Sequence, residues 1–142
     1  MSLDRTLLAA KATVIERHLA RVAERLPTTA DQLRPATDAS DAVVLHLWQA
    51  VQMTVDVALA ACFHLNLETP ARYCDSVRRL AAAGVVEPSL ADRLARAAGF
   101  RNVVAHAYES LDMARVHRAA SEGPADLRAF LAAIRDALAA RP

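Results

Sequence analysis

The chain has 142 residues, of which 4% are aromatic and 54% apolar, and only three are glycine. That length is enough for one domain with a sizeable core, and the richness in Ala and Leu favours helix almost throughout over a sheet architecture. A net charge of +1, with sixteen Arg and one Lys, argues against a polycation, and two cysteines without CxxC spacing argue against a disulfide framework or a zinc site.

The first helix is expected from about Leu3 to Leu26, with Ser2 as its N-cap and Pro27 ending it. Leu3, Leu7, Leu8, Val14, Ile15, Leu19, Val22 and Leu26 recur at three-four spacing and form one apolar stripe. Asp4, Arg5, Lys11, Glu16 and Arg17 interrupt any apolar run, so a signal peptide is not expected and the chain reads as a soluble cytoplasmic protein. Thr29 and Gln32 have capping-box spacing for a short turn, which Pro35 interrupts.

A long second helix is expected from about Ser40 to Leu67, capped by Asp38 or Ser40. It is apolar nearly all round, through Val43, Val44, Leu45, Leu47, Trp48, Val51, Val55, Val57, Leu59, Phe63 and Leu65. Its length would span a membrane, but His46, Gln49, Gln52, Asp56 and His64 recur through it, and an Asp at mid-helix is costly in lipid. A central helix buried by its neighbours fits better. Asp56 then needs an Arg partner, or exposure at a groove or subunit contact. His46 and His64 read as satisfied core or groove histidines, and His18 and His117 as surface ones; no cofactor or metal site is expected.

Thr69-Pro70 reads as a third helix start, running to about Ala83 and stopping at Gly84, with Tyr73, Val77 and Leu80 inward. Ser89 reads as the cap of a fourth helix, whose Leu90, Leu94, Ala97 and Ala98 face the core. Ser110 is the expected cap of a last helix with Leu111, Val116, Leu127, Phe130, Leu131, Ile134 and Leu138 on its apolar side, broken or kinked at Gly123-Pro124. The expected architecture is all-α, an antiparallel bundle of four major helices plus a short one, in a single domain over residues 1–142.

Chemistry concentrates at the end of the fourth helical pattern. Arg101, Asn102, His106 and Tyr108 fall within eight positions, and residues 72–101 carry six Arg against Asp75, Glu87 and Asp92, a local balance of +3 against −2 elsewhere. Such a field suits a phosphate-rich ligand. His exchanges protons near neutral pH, and Arg is a permanent planar cation that grips phosphate. RNA supplies its own nucleophile in the 2′-hydroxyl, so these two groups make a sufficient kit for cutting it. In a straight helix Asn102 and His106 share a face, whereas Arg101 and His106 stand about 140° apart around the axis and about 7.5 Å along it. They converge only if the helix loosens near Ala105 or a second copy closes a shared cleft.

The pattern Arg101-Asn102-x-x-x-His106-x-Tyr108, after Gly99-Phe100 on a small helical chain, resembles the HEPN domain and more narrowly the HepT-like toxins of HepT/MntA-type toxin-antitoxin pairs. The resemblance implies a homodimeric, metal-independent endoribonuclease that leaves a 2′,3′-cyclic phosphate. It implies Arg101 and His106 as catalytic groups, Asn102 as their orienter and Asp56 as a support of the cleft. It also implies a nucleotidyltransferase antitoxin partner that transfers AMP to Tyr108. The alternative is a non-catalytic module of the same fold that serves only to bind such a partner.

Overall fold

The computed structural model describes residues 3–68 and 72–140. Among these residues it has five α-helices: α1 (Arg5–Arg25), α2 (Asp38–His64), α3 (Tyr73–Ala82), α4 (Pro88–Ala107) and α5 (Met113–Ala140). Single 3-10 turns lie before α2, at Ala30–Gln32, and after α4, at Tyr108–Ser110. The four long helices and short α3 match the expected bundle.

The helix ends show how the sequence sets the boundaries, and several differ from expectation. The expected cap Ser2 and the Thr69-Pro70 start lie outside the described residues, as does the side chain of Tyr73. Asp4 caps α1, its Oδ1 accepting the Leu7 N–H at 2.7 Å. The helix ends at Arg25, before Pro27, with Leu26 as C-cap. Thr37, rather than Asp38 or Ser40, caps α2: its hydroxyl accepts the Ser40 N–H at 3.2 Å, and the Ser40 hydroxyl accepts the Thr37 N–H at 3.1 Å. That reciprocal pair extends the helix two residues earlier than the expected start. The helix stops where Asn66 turns left-handed (φ 58°) and the Leu67 N–H reaches back to the Cys62 carbonyl at 2.9 Å. Gly84 (φ 79°) closes α3 in the same way, with the Val85 N–H on the Leu80 carbonyl at 2.9 Å.

Pro88 opens α4 at the first helical position, so Ser89 is already inside the helix and Glu87 is the capping residue. Asp112, not Ser110, starts α5: its Oδ1 accepts the Ala114 N–H at 2.9 Å. Ser110 instead turns its hydroxyl back to the Ala107 carbonyl at 3.3 Å. Gly123-Pro124 does not break α5, which runs on through both residues.

α2 is the axis of the bundle and packs against each of the other four helices. Val22, Val43, Val44, Leu47, Val116 and Ala120 form a smaller apolar cluster at one end. A larger one unites Ile15, Leu19, Val51, Val55, Val77, Leu80, Leu94, Leu127, Phe130 and Ile134. α2 is long and apolar enough to cross a membrane, yet half of its most apolar stretch is buried within the bundle. The inward residues expected on α1, α3, α4 and α5 are buried or half-buried wherever their side chains are described.

α2 departs from expectation on one side. Leu45 (54% exposed), Leu59 (37%) and Phe63 (61%) face outward rather than into the core. Together with half-buried Gln49 and Gln52 and exposed Asp56 they follow alternating four-three spacing, a heptad-like stripe whose apolar members are exposed among the described residues. The histidines differ too. His18 is half-buried, and its Nδ1 shares a hydrogen bond with His46 Nδ1 at 3.0 Å, one ring donating and the other accepting. His117 is also half-buried, with Nε2 2.8 Å from the Pro27 carbonyl, so it ties α5 to the end of α1. Neither is the free surface residue expected.

Candidate active site

The polar segment occupies the last two turns of α4 and the 3-10 turn after it. α4 stays α-helical through Ala107, so the chain does not loosen near Ala105. α4 runs antiparallel to α2, with Arg101 beside Gln52 and Tyr108 beside Asp41.

These contacts place the side chains in two groups. Arg101 is half-buried and turns toward α2, where Nη1 donates to Gln52 Oε1 at 3.0 Å. Gln52 in turn donates from Nε2 to Asp56 Oδ1 at 3.2 Å. The guanidinium carries five N–H donors, and the bond to Gln52 uses one of them. Asn102 and His106, one turn apart, are both exposed on the outer face of α4, with exposed Val103 beside them. Among the described residues no hydrogen bond joins Arg101 to His106. A single α-helix holds them on different sides, as their five-residue spacing requires.

Asp56 is exposed, the second of the two placements expected for it. It meets Arg101 through the Gln52 amide rather than directly. The i,i+4 spacing of Gln52 and Asp56 on α2 was visible in the sequence, but the cross-helix register that puts Gln52 under Arg101 was not.

Tyr108 is 43% exposed, and its hydroxyl donates to Asp41 Oδ1 at 2.5 Å across 67 residues of chain. The hydrogen bond to Asp41, then burial, then the charges of Asp41 and Glu109, push the phenol pKa up to about 12. Asp41 is a residue that the sequence reading missed, because it looked like an ordinary acid in the first turn of a helix.

Residues 15–134 match the model of the family described as ribonuclease HepT-like. The chain belongs to the HepT-like family. Its fold is that of a Shewanella oneidensis HEPN toxin, tri-AMPylated and in complex with an MNT antitoxin: TM-score 0.82 and 23% identity over 91% of this chain and 96% of that one. A toxin-antitoxin solved with AMP-PNP is similar to the same degree, with a TM-score of 0.83 and 22% identity over 91% of this chain and 97% of that one. The Bacillus subtilis cytosolic protein YutE, of unknown function, shares the fold at TM-score 0.77 and 18% identity, over 97% of this chain and 92% of that one. No curated protein matches the sequence.

Proposed function

We propose that this HepT-like chain is a cytoplasmic endoribonuclease toxin that acts as a homodimer and is silenced by a nucleotidyltransferase antitoxin. The observation that carries the reading is the split of the motif. Arg101 is pinned toward α2, while His106 is exposed on the outer face of the same helix, and α2 itself carries exposed Leu45, Leu59 and Phe63. The two groups stand on different sides of one helix, and in the proposed dimer, joined along Leu45, Leu59 and Phe63, the Arg101 of one copy and the His106 of the other close on one phosphate. The exposed apolar side chains supply the driving force for that joining.

In the proposed reaction His106 removes the proton of an RNA 2′-hydroxyl. The freed oxygen attacks the adjacent phosphorus, the bond to the 5′-oxygen breaks, and that oxygen takes up a proton as it leaves. The products are a 2′,3′-cyclic phosphate and a 5′-hydroxyl end. Arg101 stabilises the charge on the phosphorane oxygens, and Asn102 orients the groups from the face it shares with His106. No metal is required, because the RNA carries the nucleophile. Asp56 supports the cleft by holding Gln52, which holds Arg101.

The antitoxin transfers AMP to Tyr108, which is accessible in the 3-10 turn two residues after His106. The added nucleotide brings bulk and a phosphate charge to the mouth of the cleft, which excludes RNA by occupancy and repulsion. The solved structures with this fold include toxin-antitoxin assemblies, one of them holding an AMPylated toxin, which supports the same reading. The test is cleavage of RNA by the purified chain and by His106→Ala. The variant is expected to lose about 10²–10⁴-fold in rate. Equal cleavage by both, or none by the parent on any RNA, refutes the assignment.

A further inference from the structure

The contact between Tyr108 and Asp41 joins the turn after α4 to the first turn of α2 at 2.5 Å, within the range of an O–H···O⁻ bond. It is held from both sides. Val44, one turn along α2 from Ser40, belongs to the apolar cluster against which Leu111 and Met113 of the following segment pack. Ser40, Asp41, Val44, Tyr108 and Leu111 line a hollow of about 70 Å³ between the two elements. A space of that size cannot hold a nucleotide, whose binding sites run to several hundred Å³. This hollow is therefore no nucleotide pocket, and in the proposed function the antitoxin brings the nucleotide while this chain supplies the acceptor oxygen and its immediate surroundings.

The acceptor is a poor nucleophile as it stands. With its pKa pushed up to about 12, Tyr108 is a neutral phenol at physiological pH, and its proton has to leave during attack. The proton already points at a carboxylate oxygen. Tyr108 as a whole is 43% exposed, which leaves it within reach of an incoming nucleotide.

We propose that Asp41 is the general base for adenylylation of Tyr108. The proposal rests on the reading of Tyr108 as the modified residue. As Tyr108 Oη attacks the α-phosphorus of ATP held by the nucleotidyltransferase, the Oη–P bond forms and the bond from that phosphorus to the bridging oxygen of pyrophosphate breaks. The phenol proton passes to the Asp41 carboxylate and from there to water, and pyrophosphate leaves with the bonding electrons. Because Asp41 touches the reacting oxygen, it contributes to the chemistry and not only to the position of the turn.

The experiment measures AMP incorporation by intact mass, using the full chain, ATP and a co-expressed nucleotidyltransferase antitoxin of the MNT type. Asp41→Asn preserves the shape and an oxygen acceptor for the phenol but cannot take its proton. It is expected to slow incorporation about 10²–10³-fold at pH 7. Its rate should then climb about tenfold per pH unit to pH 9, following the phenolate, while the parent's stays nearly level. Glu109→Gln removes a neighbouring negative charge that is not bonded to the phenol, and is expected to leave the rate unchanged. An Asp41→Asn rate within about twofold of the parent, a slowed rate whose pH profile parallels the parent's, or an equal loss in Glu109→Gln overturns the role of Asp41. A parent that takes up no AMP overturns both this inference and the AMPylation reading beneath it. A parent labelled normally beside an equally labelled Asp41→Asn overturns this inference alone.

Discussion

Arg101 on α4 donates to Gln52 on α2 at 3.0 Å, and this bond sets which way the guanidinium faces. Gln52 is itself held by Asp56, so two α2 residues one turn apart orient the cation. Gln52→Ala removes the tether without touching the motif. The cleavage rate is expected to fall about tenfold, because a misaimed phosphate-binding group loses transition-state stabilisation even when it is still present. Far-UV circular dichroism should be unchanged. Cleavage kinetics on a fixed RNA check the expectation.

The uncovered face of α2 leads to a second expectation. Phe63, at 61% exposed, is the most exposed of the three apolar residues in the stripe. Phe63→Asp puts a charge where two copies are proposed to meet, and sedimentation at micromolar concentration should then show a monomer in place of a dimer. Cleavage should vanish with the dimer, although Arg101 and His106 are untouched.

The pair formed by His18 and His46 makes stability depend on pH. Burial holds the His18 pKa below its ordinary value, and His46, Arg17 and Arg21 act in the same direction. The unfolded chain therefore binds a proton at this site more readily than the folded one. The contribution is complete above about pH 6.5 and is lost as the pH falls below it. Urea midpoints should drop between pH 7.5 and 5.5, and His18→Gln should flatten that slope.

Phe130 anchors the core at 0% exposure, among the largest fully buried side chains. Phe130→Ala is expected to lower the unfolding free energy by about 3–5 kcal/mol, through lost transfer energy and the cavity left behind. Urea denaturation at pH 7.5 measures the loss.

Much of this was legible in the sequence, for reasons that are local. Helical periodicity placed Ile15, Leu94, Phe130 and Ile134 in the core, and Gly84 marked the end of α3. The motif residues stood out because Arg, Asn, His and Tyr fall close together in a chain otherwise rich in Ala and Leu. What was not legible depends on register between helices. Gln52 under Arg101, Asp41 under Tyr108 and His18 against His46 are pairs separated by 49, 67 and 28 residues, and no spacing rule connects them. The outward turn of Leu45, Leu59 and Phe63 was hidden for a related reason. An all-round apolar helix does not say which of its sides the same chain will cover.

Whether Arg101 and His106 act together across two subunits can be measured directly. Differently tagged Arg101→Ala and His106→Ala chains are co-expressed, the heterodimer is isolated, and its RNA cleavage is compared with that of each variant alone. In the heterodimer one cleft regains an Arg from one copy and a His from the other, so about half of the parental activity should return while each variant alone stays inactive. A heterodimer as inactive as its parents would contradict the shared cleft, and full activity of His106→Ala alone would contradict the catalysis itself.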